Sequence, residues 1–237
     1  MSHDHATVAE EEYLQTIFWL QEAGLPMTGA NVARAMQLSA PTVHEMIGRL
    51  ERDGYVTRGA DKALAFTDNG REHAEGIVRR HRLIERFLTD VLGIPWDEVH
   101  EEAERLEHAM SPVLESRMLA AIGDAKTCPH GHPIHVGDRI VGVPLADVEQ
   151  GAKVRILRFE NEAEDLLHYL KESGVEPGLE GTLTEADDDH IIVTIDGRTC
   201  EVSRSVAETV SVVADPSPPP RTALPEQLVL SKDRYGR

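Results

Sequence analysis

The stretch TGANVARAMQLSAPTVHEMIGRLERDG, residues 28–54, decides the fold of the amino-terminal part of the chain. Thr28 can cap a first short helix. Ser39 can cap a second helix, which carries Pro41 in its first turn. Only a short turn separates the two predicted helices. Two short helices joined in this way, the second opening with Ser-Ala-Pro-Thr, are typical of a helix-turn-helix.

The sequence on both sides of this stretch completes a known arrangement. Before it, apolar residues recur three and four positions apart over 10–23, which predicts an amphipathic helix. After it, two short apolar runs, 55–58 and 63–67, surround a turn rich in Gly, Asp and Lys, which predicts a β-hairpin. A hairpin beside the second helix would form a wing. We therefore predict a winged helix-turn-helix domain over residues 1–73.

The second helix of this motif is the expected recognition helix. Its first turns carry hydroxyl and carboxylate side chains, which can contact base edges, while nearby Arg and Lys side chains can contact phosphates. Because winged-helix folds also serve as protein-docking modules, that alternative stays open. The residues expected to contact DNA are Ser39, Pro41, Thr42, His44, Glu45, Arg49, Arg52, Arg58 and Lys62.

The charge distribution argues against nonspecific binding of nucleic acid and is compatible with specific DNA binding. The formal net charge of −18 argues against a protein that coats nucleic acid nonspecifically, since phosphate contacts are made by Lys and Arg. Between residues 28 and 71, however, the chain has six basic and five acidic residues, a net charge of +1. The predicted DNA-binding segment is thus the least acidic long stretch of the chain.

The sequence also bears on location and on cysteine chemistry. No apolar run approaches the roughly 18 residues of a membrane span, and the first residues lack the order of a signal peptide, so we expect a cytoplasmic protein without a membrane partner. Two cysteines, Cys128 and Cys200, make no disulfide framework. The run Cys-Pro-His-Gly-His, 128–132, is interpreted as a linker turn, because structural zinc requires four ligands at tight spacing.

The rest of the chain divides by pattern into four further parts. Residues 74–140 are predicted to form helices with more apolar surface than they can bury themselves, which indicates a dimerisation domain. Residues 141–152 are predicted to be a linker. Alternating strands over 153–214 predict a small β-barrel of the Src-homology-3-like kind. The Pro-rich segment 215–237 is predicted to be a disordered tail.

The run HEEAERLEH, residues 100–108, carries the clearest chemical signal. On a helix, His100, Glu104, Glu107 and His108 would share one face. Imidazole and carboxylate together form a ligand set that first-row divalent metals accept. Another such pair, His81 with Glu85 four residues later, lies one helix upstream. Because a charge-rich helix is also often a solvated face, this interpretation depends on the surrounding chain.

Five runs and the order of the parts resemble the DtxR/MntR family of metal-dependent transcriptional repressors. This resemblance implies a repressor that binds double-stranded operator DNA as a homodimer when it holds a divalent metal. It also implies that the carboxy-terminal domain is similar to the FeoA-like, Src-homology-3-like barrel of the longer members. The runs that carry the resemblance are SAPTV (39–43), RLERDG (49–54), RHRLIER (80–86), VHEEA (99–103) and EH (107–108).

The resemblance also implies which side chains bind metal. Carried over position by position, the primary metal site falls on Glu12, Glu104, Glu107 and His108. The ancillary site falls on His81, Glu85 and His100. Long members add ligands from the barrel domain, which here would come from the run 159–164, with Glu160 and Glu164 as the candidates.

Differences from the family pattern bear on the metal. Iron-type members resemble this chain but place Met and Cys where Glu12 and Glu104 stand. Replacing sulfur ligands by carboxylates favours a harder ion, so we expect Mn²⁺, with Fe²⁺ as the alternative. The second carboxylate of manganese-type members falls at Gln15, and the Gln of the iron-type recognition helix falls at Glu45. These two differences predict altered site geometry and operator preference.

Two other classes of function are weighed against this one. A metal-independent winged-helix protein would carry the same fold with surface charge only, and would show no dependence on metal. A metalloenzyme is disfavoured by spacing: a His-x-x-Glu-His hydrolase would need His at position 104. Ferritin-like sites need Glu and His three residues apart, whereas Glu104 and His108 are four apart.

Overall fold

The computed structural model describes residues 6–218. Its amino-terminal domain consists of three helices, a two-stranded hairpin and the start of a long fourth helix. As predicted, Thr28 and Ser39 accept hydrogen bonds from the backbone of their helices' first turns. The helices and strands are α1 (Val8–Glu22), α2 (Gly29–Met36), α3 (Ala40–Arg52), β1 (Val56–Arg58), β2 (Leu64–Phe66) and α4 (Asp68–Leu92). This order confirms the winged helix-turn-helix.

The inner faces of these helices form one hydrophobic core. Leu14 and Ile17 of α1 are fully buried and belong to the same apolar cluster as Ile47 and Leu50 of α3. The wing is joined tightly to α4, because a Cβ atom on Gly70 would lie 1.8 Å from the carbonyl oxygen of Tyr55. In this structure the recognition helix therefore shares a core with α1, and the wing is held against α4.

The middle of the chain is helical. It consists of the second half of α4, α5 (Val99–Glu107) and α6 (Pro112–Ala121), which bury a smaller apolar cluster between them. These three helices also leave large apolar side chains exposed, as expected for a surface that pairs with another subunit. The exposed side chains are Val91, Leu92, Leu106, Val113 and Leu114.

The carboxy-terminal domain is a six-stranded antiparallel sheet with two short helices. The strands lie in the order β3-β8-β4-β5-β6-β7. Its elements are β3 (Val143–Pro144), β4 (Lys153–Phe159), α7 (Glu164–Glu172), β5 (Glu180–Ala186), β6 (His190–Ile195), β7 (Arg198–Ser203), α8 (Arg204–Ala207) and β8 (Val210–Asp215).

The predicted β-barrel is wrong, because this sheet does not close. Among residues 6–218, the edge strands β3 and β7 each pair with one neighbour, β8 and β6 respectively. Strand β3 is two residues long, and its Pro144 has no N–H to donate, so it offers little backbone for a further pairing. Closure of a barrel needs a continuous ladder between its first and last strands.

The segments predicted as linker and tail have defined places where the structure describes them. Within 141–152, Leu145, Ala146 and Val148 are buried in the core of the sheet. Asp215, the first residue of the predicted tail, ends β8 opposite Lys153. The tail from 219 onwards lies outside the described residues. Among the helices of residues 6–218, none combines the length and hydropathy that a membrane crossing requires.

Candidate metal centre and nucleic-acid interface

A buried group of imidazole and carboxylate side chains lies where α4, α5 and the loop after β4 meet. We call His81, Glu85, His100 and Glu162 the inner cluster. The His81 Nε2 atom lies 2.9 Å from Glu85 Oε1 and 3.1 Å from His100 Nδ1. The His100 Nδ1 atom also lies 3.0 Å from Glu162 Oε2. The cluster therefore joins the helical domain to the sheet domain.

The turn at residues 128–132 extends the inner cluster. His130 Nδ1 lies 3.2 Å from Glu85 Oε1, and His132 Nε2 lies 3.3 Å from Glu162 Oε1. Cys128 lies within ligand distance of Glu85 and His130. The interpretation of this run as only a linker turn is therefore incomplete. Its content of Cys and His was the signal in the sequence, but no spacing argument could connect it to Glu85.

A second group lies between α1 and α5. We call Glu12, Glu104, Glu107 and His108 the outer cluster. Burial raises the pKa of the Glu12 carboxyl, and the negative charges of Glu104 and Glu107 raise it further, although the charge of His108 opposes the rise. These interactions place the α1 carboxylate near Glu104 and Glu107 of α5 and near His108, which follows α5. The structure thus brings together the four residues carried over as the primary site.

The outer cluster is supported by neighbouring side chains of α1. Glu11 Oε2 lies 2.7 Å from His108 Nδ1, which leaves the other ring nitrogen, Nε2, on the side of Glu107 at 3.4 Å. Metal-binding imidazoles are commonly oriented by a carboxylate in this way. Gln15, at the position of the second carboxylate of manganese-type members, donates from Nε2 to Glu107 Oε2 at 3.0 Å.

The two clusters are connected through His81. Its Nδ1 atom lies 2.6 Å from Glu107 Oε2, while its Nε2 atom faces the inner cluster. Burial lowers the pKa of His81, but the Glu85 and Glu107 carboxylates outweigh burial and raise it to about 9. His130 behaves alike, because Glu85 and Glu162 raise its pKa well above the ordinary value despite burial. The positive charges of protonated His81 and His130 therefore balance the negative charges of the buried carboxylates.

The inner cluster fits a divalent cation. Glu85 is completely buried, and its Oε2 atom has no hydrogen-bond partner among residues 6–218. A buried carboxylate oxygen without a partner is costly, so such an atom points to a missing ligand. The surrounding donors are imidazole nitrogens and carboxylate oxygens, the set accepted by Mn²⁺, Fe²⁺ and Zn²⁺. Binding would displace protons from His81 and His130.

The two ligands expected from the run 159–164 are placed elsewhere. Glu160 is held by arginines: its Oε2 atom lies 2.7 Å from Arg139 and its Oε1 atom 2.7 Å from Arg158. Glu164 is exposed in the first turn of α7. The carboxylate that reaches the cluster is Glu162. Strand β4 ends at residue 159, so strand alternation does not set the direction of the side chains that follow it.

Most side chains expected to contact DNA are exposed along α3 and on the wing. Arg49 and Arg58 differ, because both are ion-paired within the domain. The Arg49 Nε atom lies 3.0 Å from Glu10 Oε1, and Arg58 Nη2 lies 2.9 Å from Glu51 Oε2. The exposed ones are Ser39, Pro41, Thr42, His44, Glu45, Arg52 and Lys62.

A winged helix-turn-helix joined to buried clusters of imidazole and carboxylate defines a class of DNA-binding protein. The clustered side chains are of the types that bind divalent metal ions. Comparison with protein families agrees with this class. Residues 5–64 match the model described as "Iron dependent repressor, N-terminal DNA binding domain". Residues 67–135 match "Iron dependent repressor, metal binding and dimerisation domain", and residues 143–214 match "FeoA domain". The chain belongs to the DtxR family of iron- and manganese-dependent repressors.

Individual relatives support the same assignment. The diphtheria toxin repressor of Corynebacterium diphtheriae is 34% identical over 217 residues, covering 85% of this chain and 95% of the relative. The iron-dependent repressor IdeR of Mycobacterium tuberculosis is 35% identical, covering 79% and 88%. A structure of a manganese-dependent transcriptional repressor in complex with manganese matches with a TM-score of 0.79 at 32% identity, covering 86% and 99%. The names of these relatives describe repressors and not enzymes.

Proposed function

We propose that this chain is a manganese-responsive repressor, which binds operator DNA as a homodimer in the cytoplasm when its metal sites are filled. The observation that carries this proposal is the outer cluster. Glu12 of α1 faces Glu104 and Glu107 of α5, so the helix packed beside the recognition helix meets the helical domain through like charges. Fe²⁺ is the second candidate, because relatives at 34–35% identity are named as iron-dependent repressors or diphtheria toxin repressors.

The outer cluster would make the position of α1 depend on charge. Glu12, Glu104 and Glu107 repel one another when ionised, and His108 is the member of this cluster that can carry a positive charge. A divalent cation would supply the positive charge that lets three carboxylates lie close together. Glu11, Gln15 and His81 would then hold His108 and Glu107 in place. α1 would have two positions, docked against the helical domain and displaced from it. A metal ion at this site can change DNA affinity only to the extent that it binds these two positions with different affinity.

The donor atoms favour the harder ion. The outer cluster offers carboxylate oxygens and one imidazole, without sulfur, and such ligands suit Mn²⁺. The cysteine near the inner cluster does not alter this, because burial raises the pKa of the Cys128 thiol to about 11 and the charge of Glu85 adds to the rise. At neutral pH this sulfur is a thiol and a poor ligand until a metal displaces its proton.

A fluorescence anisotropy titration tests the proposed function. Chelated protein is added to a labelled duplex of its own promoter region, alone and with Mn²⁺, Fe²⁺ under anaerobic conditions, or Zn²⁺. We expect micromolar Mn²⁺ to switch on binding and Fe²⁺ to do so only weakly. Stronger activation by Fe²⁺ would support the iron alternative. Equal binding with chelator present would show a metal-independent winged-helix protein.

The inner cluster predicts a specific effect of Glu162. Changing Glu162→Gln removes one carboxylate charge from the cluster, so we expect metal affinity there to fall by about tenfold to 100-fold. The matched control is Glu164→Gln, the same change two residues later on an exposed side chain, which should leave metal affinity unchanged. Isothermal titration calorimetry with Mn²⁺ measures both. Equal affinities in the two variants would remove Glu162 from the ligand set.

A further inference from the structure

Glu10 in the first turn of α1 is a charged residue placed where charge is costly. Its side chain is 3% exposed. The Oε2 atom accepts hydrogen bonds from the backbone N–H and the hydroxyl of Thr7, both at 2.7 Å. These bonds belong to the capping box that begins α1. A capping role explains one carboxylate oxygen and leaves the other for a different partner.

The other oxygen of Glu10 reaches the recognition helix. Glu10 Oε1 lies 3.0 Å from the Nε atom of Arg49, in the last turn of α3. Arg49 has a second possible partner, because its Nε atom lies 3.6 Å from Asp53 Oδ2, four residues later in the chain. The Arg49 guanidinium can therefore pair with Glu10 of α1 or with Asp53 at the end of its own helix.

This ion pair lies next to the outer cluster. Glu10, Glu11 and Glu12 are consecutive, so one turn of α1 carries the bond to Arg49, the carboxylate that orients His108, and the carboxylate that faces Glu104. A displacement of this turn would move the partner of Arg49 as well as the predicted metal ligand. Released from Glu10, Arg49 would still have Asp53 beside it.

We infer that Glu10 is a positioning residue that transmits the state of the metal site to the recognition helix through Arg49. The inference rests on the proposed function and adds a route by which the outer cluster acts on DNA binding. Arg49 then serves as a connection between α1 and α3, whereas the phosphate contacts are left to the exposed Arg52 and Lys62. With α1 docked, the Glu10–Arg49 pair fixes the end of α3; with α1 displaced, Arg49 pairs with Asp53.

The test compares two isosteric substitutions. Glu10→Gln removes the charge that holds Arg49 but keeps an oxygen that can accept from Thr7. Glu51→Gln removes the partner of Arg58 on the wing and changes the net charge equally, but its ion pair does not involve α1. For each protein, anisotropy gives the affinity for the promoter duplex with Mn²⁺ and with chelator, calorimetry gives Mn²⁺ affinity without DNA, and thermal unfolding monitors the fold.

We expect Glu10→Gln to reduce the ratio of Mn²⁺-loaded to chelated DNA affinity by about tenfold, while Mn²⁺ still binds in the absence of DNA. Glu51→Gln should change both DNA affinities by the same factor. Arg49→Gln should reproduce the loss, and the double variant Glu10→Gln/Arg49→Gln should lose no more than either single variant. Arg49→Gln also serves if Glu10→Gln does not fold.

Other outcomes overturn the inference in separable ways. If Glu10→Gln and Arg49→Gln keep the wild-type ratio of Mn²⁺-loaded to chelated DNA affinity, the pair does not transmit the state of the metal site, although the proposed function stands. An equal loss of the ratio in Glu51→Gln shows a general effect of charge in the domain. A ratio of one in the unaltered protein contradicts the proposed function and the inference together.

Discussion

Replacing Glu104 by alanine is expected to abolish Mn²⁺-dependent DNA binding and to leave the fold intact. Glu104 faces Glu12 in the outer cluster, and its Oε1 atom lies 3.4 Å from His100 Nε2, between the two clusters. Without this carboxylate the outer cluster loses a ligand that α5 contributes. DNA affinity in Mn²⁺ should fall to the level with chelator, a loss of about fivefold to 150-fold for a typical allosteric coupling.

The control for this variant lies on the same helix. Glu102→Ala removes an exposed carboxylate that pairs with Arg105 and does not face the outer cluster. It should retain the Mn²⁺ response. Anisotropy with the promoter duplex and circular dichroism measure DNA binding and folding for both variants. Unchanged Mn²⁺-dependent binding in Glu104→Ala would remove Glu104 from the proposed metal site.

The second large effect is expected at the apolar surface of the helical domain. Val113 is 72% exposed and Leu114 is 45% exposed on α6, which is unusual for large apolar side chains so close together. If this surface joins two subunits, the double change Val113→Lys/Leu114→Lys would place charges in the interface and yield a monomer. A repressor that reads two half-sites would then lose about 100-fold or more in DNA affinity.

Light scattering after gel filtration gives the oligomeric state, and anisotropy gives the DNA affinity. Val141→Lys is the control, since Val141 is 89% exposed but lies outside α4, α5 and α6. It should stay dimeric and bind DNA as the unaltered protein does. A dimer in the double variant would place the subunit interface elsewhere.

The amino-terminal domain could be predicted from local sequence because its signals are local. Helix α2 begins after Thr28, the cap that the sequence predicts, and the turn at residue 37 ends it. The wing was predicted from two apolar runs around a polar turn. Caps and turns act over a few residues, so a single sequence carries this information.

The sheet domain could be predicted only in part, because closure and strand partners depend on distant residues. Strand β8 lies between β3 and β4, although it is the last of the three in sequence. No periodicity within 210–215 shows this. The barrel prediction failed at the same point, because the pairing of edge strands is a tertiary property.

The inner and outer clusters show a similar division. Helical spacing indicated His81 with Glu85 as one pair and His100 as part of another group. The family resemblance combined the three residues, and the structure places them together. Glu12 came from the family resemblance and not from spacing. Glu162, Cys128, His130 and His132 lie on loops without periodicity, so only the packing of the sheet domain against the helices reveals them.

The central claim is that metal binding and DNA binding are linked through one conformational equilibrium. Calorimetric titration of Mn²⁺ into the protein, with and without saturating promoter duplex, tests it most directly. Linkage requires DNA to raise Mn²⁺ affinity by the same factor by which Mn²⁺ raises DNA affinity. We expect equal factors, of about tenfold or more. The same Mn²⁺ affinity in the presence and absence of DNA would contradict it.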